Sequence, residues 1–407
     1  MPLLMLCPAR VWGQEALQDL VALDTARDTR REQVASPNYT FKSGDFRLLA
    51  TPSLGLDWND NINLSSTDQE SDFILKPFVN LDLTYPVTQV NLLTLNLGLG
   101  YDYYFTHHEN SAWRVRSGSA LSFDIFVKDF VINLHDIISF SRDSSQEAAV
   151  ANTSDYGNLE NTVGVLTSWN LKKGTVSLGY DHQNVVSAES EFDSQNRASE
   201  MLLSRASYLV HPQVQSGLEG TVSFTDYDQP TLNDNTAYSI GPFVSWQPGT
   251  AFRLTARGGY TYYDFKQTST TIQTANLSTY YLDLTISHDA TEVISYSFSA
   301  GRSVQLGVYA DVIELWYARP NITWRFFKNI SLNTGLSYEY GNEGVGDISG
   351  GQAQTYNWLS GNIGVDWPFM KRLSLGLNYR ITFRESDLPD NGYTQNVIGL
   401  SLTYRPQ

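Results

Sequence analysis

Arg372-Leu373-Ser374-Leu375-Gly376-Leu377-Asn378-Tyr379-Arg380-Ile381-Thr382-Phe383 is the stretch that decides the fold. Leu373, Leu375, Leu377, Tyr379, Ile381 and Phe383 alternate with Arg372, Ser374, Gly376, Asn378, Arg380 and Thr382. Successive side chains of a strand point to opposite faces, so one face is wholly apolar and the other polar or glycine. Upstream the pattern recurs, with Leu93, Leu95, Leu97, Leu99, Tyr101 and Tyr103 against Thr94, Asn96, Gly98, Gly100 and Asp102. Tyr280, Leu282, Leu284 and Ile286 likewise oppose Tyr281, Asp283, Thr285 and Ser287. Runs of this length match the ~9–11 residues with which a tilted strand crosses a bilayer.

Eighteen such segments follow one another, over 46–61, 72–86, 90–106, 112–127, 129–143, 158–170, 174–186, 198–210, 213–227, 236–247, 250–266, 276–288, 291–304, 312–326, 329–341, 355–367, 371–386 and 392–405. Their connections alternate in length. Tight ones such as Lys128-Asp129, His211-Pro212 and Gln247-Pro248-Gly249-Thr250 trade places with longer polar loops at 63–72, 144–157, 188–197 and 342–354. Short periplasmic turns with long external loops are the layout of bacterial outer-membrane barrels. Trp169, Trp246, Trp324, Trp367 and Tyr404 sit near the tight turns, and Trp58, Tyr103, Trp113 and Tyr262 near the long loops, as two interfacial girdles would require. A soluble all-β sandwich or solenoid shares the alternation but not the alternating turn lengths or the girdles. The reading is an all-β, transmembrane, up-and-down antiparallel barrel of about eighteen strands, with both termini periplasmic, in a bacterial outer membrane.

Composition agrees. The 407 residues are 13% aromatic and only 17% charged, with a mean hydropathy of −0.28, whereas soluble domains carry about 25% charged residues. No run approaches the ~18 apolar residues of a transmembrane helix. Residues 1–13 resemble a truncated signal peptide, with Pro2 to Cys7 as its apolar run and Val11 and Gly13 at the −3 and −1 places, against the alternative of a disordered tail. Residues 14–44, charged and non-alternating, are expected to form a flexible periplasmic arm, and 45–407 the barrel. Cys7 is the only cysteine, so neither an intramolecular disulfide nor a thiolate metal site is available. A net charge of −16 argues against a nucleic-acid partner.

The chain is expected to be no enzyme and to hold no metal or cofactor. Its six histidines lack His-x-x-x-His spacing, and neither a Gly-x-Ser-x-Gly elbow nor a phosphate loop occurs. Asp181 and His182 could suggest a rim hydrolase, but neighbours in a strand face opposite ways. Chemistry is expected in the lumen. Alternation turns Arg114, Arg116, Arg205, Arg253, Arg257, Arg319, Arg380 and Arg384 inward, along with Arg325 and Arg372. The inward acids are Asp57, Asp82, Asp102, Asp124, Glu219, Asp283 and Glu339, with Asp181 and Asp366. These groups either face each other as opposed walls and set a transverse field or pair across neighbouring strands. Tyr104, Phe243, Tyr281, Tyr317 and Trp358 are inward aromatics that either offer stacking faces or fill space. One position breaks the pattern: Asp136 falls on the apolar face with Leu134 and Ile138, and a bulge near His135-Asp136, a partner or a shifted register would explain it.

Pro52-Ser53-Leu54-Gly55-Leu56-Asp57-Trp58-Asn59-Asp60-Asn61-Ile62, followed by Ser71-Asp72-Phe73-Ile74-Leu75, resembles the putative beta-barrel porin 2 family. The shared feature is a first strand of the form P-x-L-G-L-x-[aromatic]-x-D-N-I. The resemblance implies an outer-membrane barrel of this size and suggests polymer passage, since such barrels are often associated with exopolysaccharide export. One departure is that Tyr404 is followed by Arg405-Pro406-Gln407, where outer-membrane barrels commonly end on an aromatic residue. The leading expectation is therefore a channel for a secreted polysaccharide, in contact with membrane lipid, lipopolysaccharide and periplasmic export machinery. The alternatives are a porin for small polar solutes and an adhesive or structural barrel acting through its external loops. The discriminator is loop placement, because a loop folded into the bore favours small solutes.

Overall fold

A computed structural model describes residues 38–270, 272–327, 329–344 and 353–406. The expected signal peptide and most of the expected arm lie outside the described residues. The short strand β1 (Phe41–Ser43) is followed by β2 (Phe46–Asn59), β3 (Asp72–Pro86), β4 (Leu92–Tyr104), β5 (Ala112–Val127), β6 (Phe130–Ser141), β7 (Asn158–Leu171), β8 (Gly174–Ser187), β9 (Arg197–His211) and β10 (Val214–Tyr227). Then come β11 (Asn235–Trp246), β12 (Phe252–Phe265), β13 (Leu277–Asp289), β14 (Ile294–Leu306), β15 (Val312–Phe326), β16 (Ile330–Glu343), β17 (Gln354–Trp367), β18 (Leu373–Ser386) and β19 (Tyr393–Tyr404).

Each long strand pairs antiparallel with its neighbour in sequence, and β19 closes onto β2 from Val397↔Asn59 to Thr403↔Ser53. The result is a closed antiparallel barrel of eighteen strands, β2 to β19. Closure leaves no unpaired edge, which a strand inside hydrocarbon cannot tolerate. With an even count, the first and last barrel strands begin and end beside the short turns.

The eighteen expected segments coincide with the eighteen strands, ends shifting by a few residues. One correction falls at the arm's boundary: Phe41 to Ser43 pair with Leu48 to Phe46 through a turn in which Gly44 has φ +59°. Three residues are too few for alternation to register. A second correction concerns Asp136. The strand has no bulge there; Leu121↔Asp136 and Ser122↔His135 are in register, and the irregularity lies on β5 between Val115 and Ser119, where Gly118 takes φ +79°. Asp136 does face outward, and accepts a hydrogen bond from Asn161 at 2.6 Å.

Outside, Leu54, Leu56, Leu202, Ile240, Leu282, Ile363, Leu377, Leu400 and the girdle residues Trp113, Trp169, Trp246, Trp324 and Trp367 are all exposed, as a lipid-facing wall demands. Inside, hydroxyls pair across strands: Ser168 with Ser177, Ser199 with Thr225, Ser239 with Thr261 and Ser360 with Thr382, at 2.9–3.1 Å. The inward aromatics Phe78, Phe243, Tyr281, Tyr317 and Tyr356 stand directly opposite Gly100, Gly217, Gly259, Gly301 and Gly341. Each ring lies down over its glycine, so Phe243, Tyr281 and Tyr317 line the wall as flat plates. At Gly341 the three atoms nearest an added Cβ all belong to the Tyr356 ring. Gly341→Val is therefore expected to lower stability in urea unfolding by about 1–3 kcal/mol, the cost of overpacking. Tyr356→Ala in the same chain should recover part of that loss, because the nearest clashes are with that side chain.

Candidate functional site

The connection from β6 to β7 is the feature that shapes the interior. It begins with a 3-10 turn, Ser144–Gln146, capped by Asp143, whose carboxylate accepts from the Ser145 amide at 3.2 Å and its hydroxyl at 2.5 Å. The Ser144 hydroxyl accepts from the Tyr156 amide at 2.7 Å and draws the two arms together. Between them Ala148, Ala149 and Val150 are 4%, 2% and 0% exposed. A loop rimming the barrel outside would leave these side chains in water, so the expectation of an external polar loop at 144–157 is corrected. The loop folds inward.

Its contacts lie on strands across the bore. Arg384 on β18, 2% exposed, donates from Nε to the Ala148 carbonyl at 2.8 Å and from Nη2 to the Ala149 carbonyl at 3.0 Å. The same guanidinium reaches Gln354 Oε1 at 3.0 Å and the Asn391 carbonyl. Gln354 Nε2 donates to Ala149 O at 3.2 Å and to Glu343 Oε2 at 2.8 Å. Arg380, two inward positions along β18 with Thr382 between, donates to the Ser145 hydroxyl at 2.8 Å. In strand order β18 is not a neighbour of β6 or β7, so these bonds span the interior rather than run along the wall. Asn152 ties the tip to Leu64 O and, through its side chain, to Asp390 O and Asn391, each at 3.1 Å.

Other loops complete a lid. Leu64, the Ala148–Val150 segment, Tyr156, Phe192 and Val308 pack with Ile313, Leu315, Tyr356, Trp358 and Tyr393 of the wall into one apolar cluster. Glu343 anchors the β14–β15 loop by accepting from the Tyr309 amide at 2.7 Å and the Ala310 amide at 3.3 Å. Burial pushes the Tyr309 phenol up to about 12, so it stays neutral there. Arg142 clamps the base of the crossing loop through Asp155 at 3.1 Å and through Glu189. Burial outweighs that arginine and holds the Asp155 carboxyl above its ordinary range.

The inward charges pair across neighbouring strands. Lys76 meets Asp57 at 2.8 Å, and Arg114 meets Asp102 at 3.4 Å. Arg257 lies 4.0 Å from Glu219 and 3.5 Å from Asp283, which also accepts from the Tyr317 hydroxyl at 2.6 Å. Arg319 pairs with Glu339. Arg116 and Asp82 meet through Asn96. Arg205 stacks over Phe243 at 3.9 Å and stands opposite Glu219 in register. Asn133 donates to Asp124 at 2.7 Å, and to Asp366 Asn333 donates at 3.1 Å. Arg253 is exposed beside the β11–β12 turn, as are Arg325 and Arg372 beside theirs. Cross-strand pairing is thus what the geometry realises for Arg114, Arg116, Arg257 and Arg319, while Arg380 and Arg384 hold the crossing loop.

Sequence reasoning missed two features here. His135 is fully buried, with Nε2 3.0 Å from Asp181 and Nδ1 3.0 Å from Asn133 Oδ1, while His182 faces outward to Glu200. Asp181 and His182 therefore point apart, as alternation requires. Beside them Leu166, Met201 and Leu203 form an apolar patch on the inner face. Their inward register carried the signal, but an apolar residue on a lumen face carries no chemistry to flag it.

Comparison with known proteins agrees with this architecture. The barrel is similar to OccK2 (OpdF) of Pseudomonas aeruginosa, solved in complex with glucuronate, with a TM-score of 0.51 and 10% identity over 88% of this chain and 98% of that one. It is similar to the same degree to a BenF-like porin from Pseudomonas fluorescens Pf-5, with a TM-score of 0.51 and 10% identity over 88% and 98% of the two chains. No curated protein matches the chain. The family profile described as putative beta-barrel porin 2 matches residues 40–406. A closed barrel with an apolar outer wall and that match is a channel of the bacterial outer membrane and not an enzyme, and the chain belongs to the putative beta-barrel porin 2 family.

Proposed function

We propose that this porin admits small polar solutes, acidic ones included, through a lumen constricted by the loop at 142–157. The short turns then face the periplasm, which puts both ends of the barrel on that side. The proposed lining comprises Arg114, Arg116, Arg205, Arg253, Arg257, Arg319, Arg380, Arg384, Asp57, Asp82, Asp102, Asp124, Glu219, Asp283 and Glu339. The carrying observation is that Arg384 and Arg380 hold the loop from across the bore. A polymer needs a continuous path, and a segment fixed in that path by a buried guanidinium is the wrong shape for one. The polysaccharide reading, and with it an export machinery as partner, yields to the small-solute reading. Paired charges along the wall supply alternating donors and acceptors to a hydrated solute, which suits polar cargo. The glucuronate of the similar OccK2 barrel makes a reasonable first probe.

Liposome swelling with the purified full chain tests this. Swelling is expected with glucose and glucuronate and to fall away with oligosaccharides. Passage of a long polysaccharide at a comparable rate, or no conductance even with residues 147–154 deleted, would sink the proposal.

A further inference from the structure

The outward face carries a polar patch where lipid should lie. Asp136 on β6, Asn161 on β7, His182 on β8 and Glu200 on β9 stand on four adjacent strands, all turned away from the lumen. Val163 is opposite both Asp136 and His182, which fixes the centre of the patch. At ~3.3 Å per residue and a tilt near 40°, Val163 stands about 15 Å above Trp169, well inside an apolar band about 25 Å tall. Trp169 marks the lower girdle, stacked on Phe130 at 5.6 Å. Exposed apolar residues also continue above the patch, at Leu159 and Val186.

Within the chain these groups are only half covered. Asn161 donates to Asp136 at 2.6 Å, His182 lies 2.9 Å from Glu200 through Nδ1 and 2.9 Å from the Asn184 carboxamide through Nε2, and Tyr180 donates to Glu200 at 2.5 Å. Yet the side chains of His182 and Glu200 remain 38% and 45% exposed, and Asp136 is exposed as well. Elsewhere on the outer face the chain shields a charge by itself. Arg302 pairs with Glu314, lies 4.2 Å from the Tyr280 ring and 5.9 Å from that of Trp316, and is only 6% exposed. Ionisable groups left uncovered in hydrocarbon are costly, and polar residues at membrane depth ordinarily face protein or water.

We infer that this patch is covered by a second copy of the chain, in a two-fold dimer whose axis passes between β7 and β8. Two carboxylates, an imidazole, two carboxamides and a phenol on one surface supply both donors and acceptors. A patch that docks on itself in an isologous contact needs that self-complementarity. An axis along the membrane normal preserves depth, so Asn161 of one copy comes against His182 of the other.

Val163→Cys, made with Cys7→Ser so that no other thiol remains, places a reporter at the centre without altering the polar groups. In outer membranes treated with a mild added oxidant such as copper–phenanthroline in air it is expected to form a disulfide-linked dimer, whereas Leu377→Cys, between Val365 and Leu400, stays monomeric. The full chain in native mass spectrometry should be a dimer, falling at least tenfold in abundance in the Asp136→Leu, His182→Leu, Glu200→Leu triple variant. The heat-dependent mobility shift of folded barrels in electrophoresis checks that the variant still folds. A monomeric wild type without the Val163→Cys cross-link overturns the inference. So does bound lipopolysaccharide that the triple variant loses, which would make lipid the occupant. If the triple variant does not fold, the cross-link and the wild-type mass decide alone.

Discussion

Replacing Arg384 with Met is expected to free the loop at 142–157 and convert a constricted channel into a markedly more open one. The guanidinium satisfies the Ala148 and Ala149 carbonyls from a site 2% exposed, and a methionine of similar length fills the space but donates nothing. Hydrogen bonds to charged groups are worth about 1.5–3 kcal/mol each. Losing two of them moves the balance between seated and released loop by about 100-fold or more, at tenfold per ~1.4 kcal/mol. The readout is single-channel conductance in planar bilayers, where the wild type should dwell in a low-conductance state and Arg384→Met in a higher one. Arg384→Lys should fall between, because an ammonium cannot present the planar fork that meets two adjacent carbonyls. Unchanged dwell times in Arg384→Met would mean that the apolar packing of Ala148 to Val150, with the Gln354, Arg380 and Asn152 hydrogen bonds, holds the loop without it.

The second large effect is expected on stability. Arg257 lies between Glu219 and Asp283, with its side chain 9% exposed and that of Glu219 fully buried. Arg257→Met leaves two carboxylates facing each other in the wall. Breaking a buried pair by removing one partner costs about 3–5 kcal/mol, and the low end is expected here because Arg205 still stands opposite Glu219 and Tyr317 still donates to Asp283. Urea unfolding of the refolded barrel should show a correspondingly lower midpoint. Adding Glu219→Gln should recover part of the loss, and a double-mutant cycle gives the coupling directly. Simple additivity of the two substitutions would show that Arg205 and lumen water, and not Arg257, compensate Glu219.

Both effects rest on residues whose orientation could be read in advance and whose partners could not. Arg384 and Arg257 fall on the inward side of alternating runs, so their direction follows from strand geometry alone. That Arg257 meets Glu219 depends on pairing registers between β10, β11 and β12, which turn chemistry and side-chain packing fix together. That Arg384 meets Ala148 depends on a contact between residues more than two hundred positions apart. No local pattern encodes such a contact. The Ala148-Ala149-Val150 run was the one clue, a small apolar segment within a polar loop, and composition alone gives no direction in which to bury it.

Alternation in the chain was enough for the barrel: its strand number, and the apolar outer face that each strand presents. It could do so because a strand in a membrane has only two faces and a period of two, and hydrocarbon penalises every error on one of them. It also marked Asp136 as the exception, and the structure kept it one, adding Asn161, His182 and Glu200 beside it on neighbouring strands. That the loop crosses the bore, that Arg257 and Arg319 pair with acids on neighbouring strands, and that the inward aromatics lie flat on glycines came from the folded chain alone. Those features depend on which strands and loops come together once the barrel closes, and closure is a property of the whole chain.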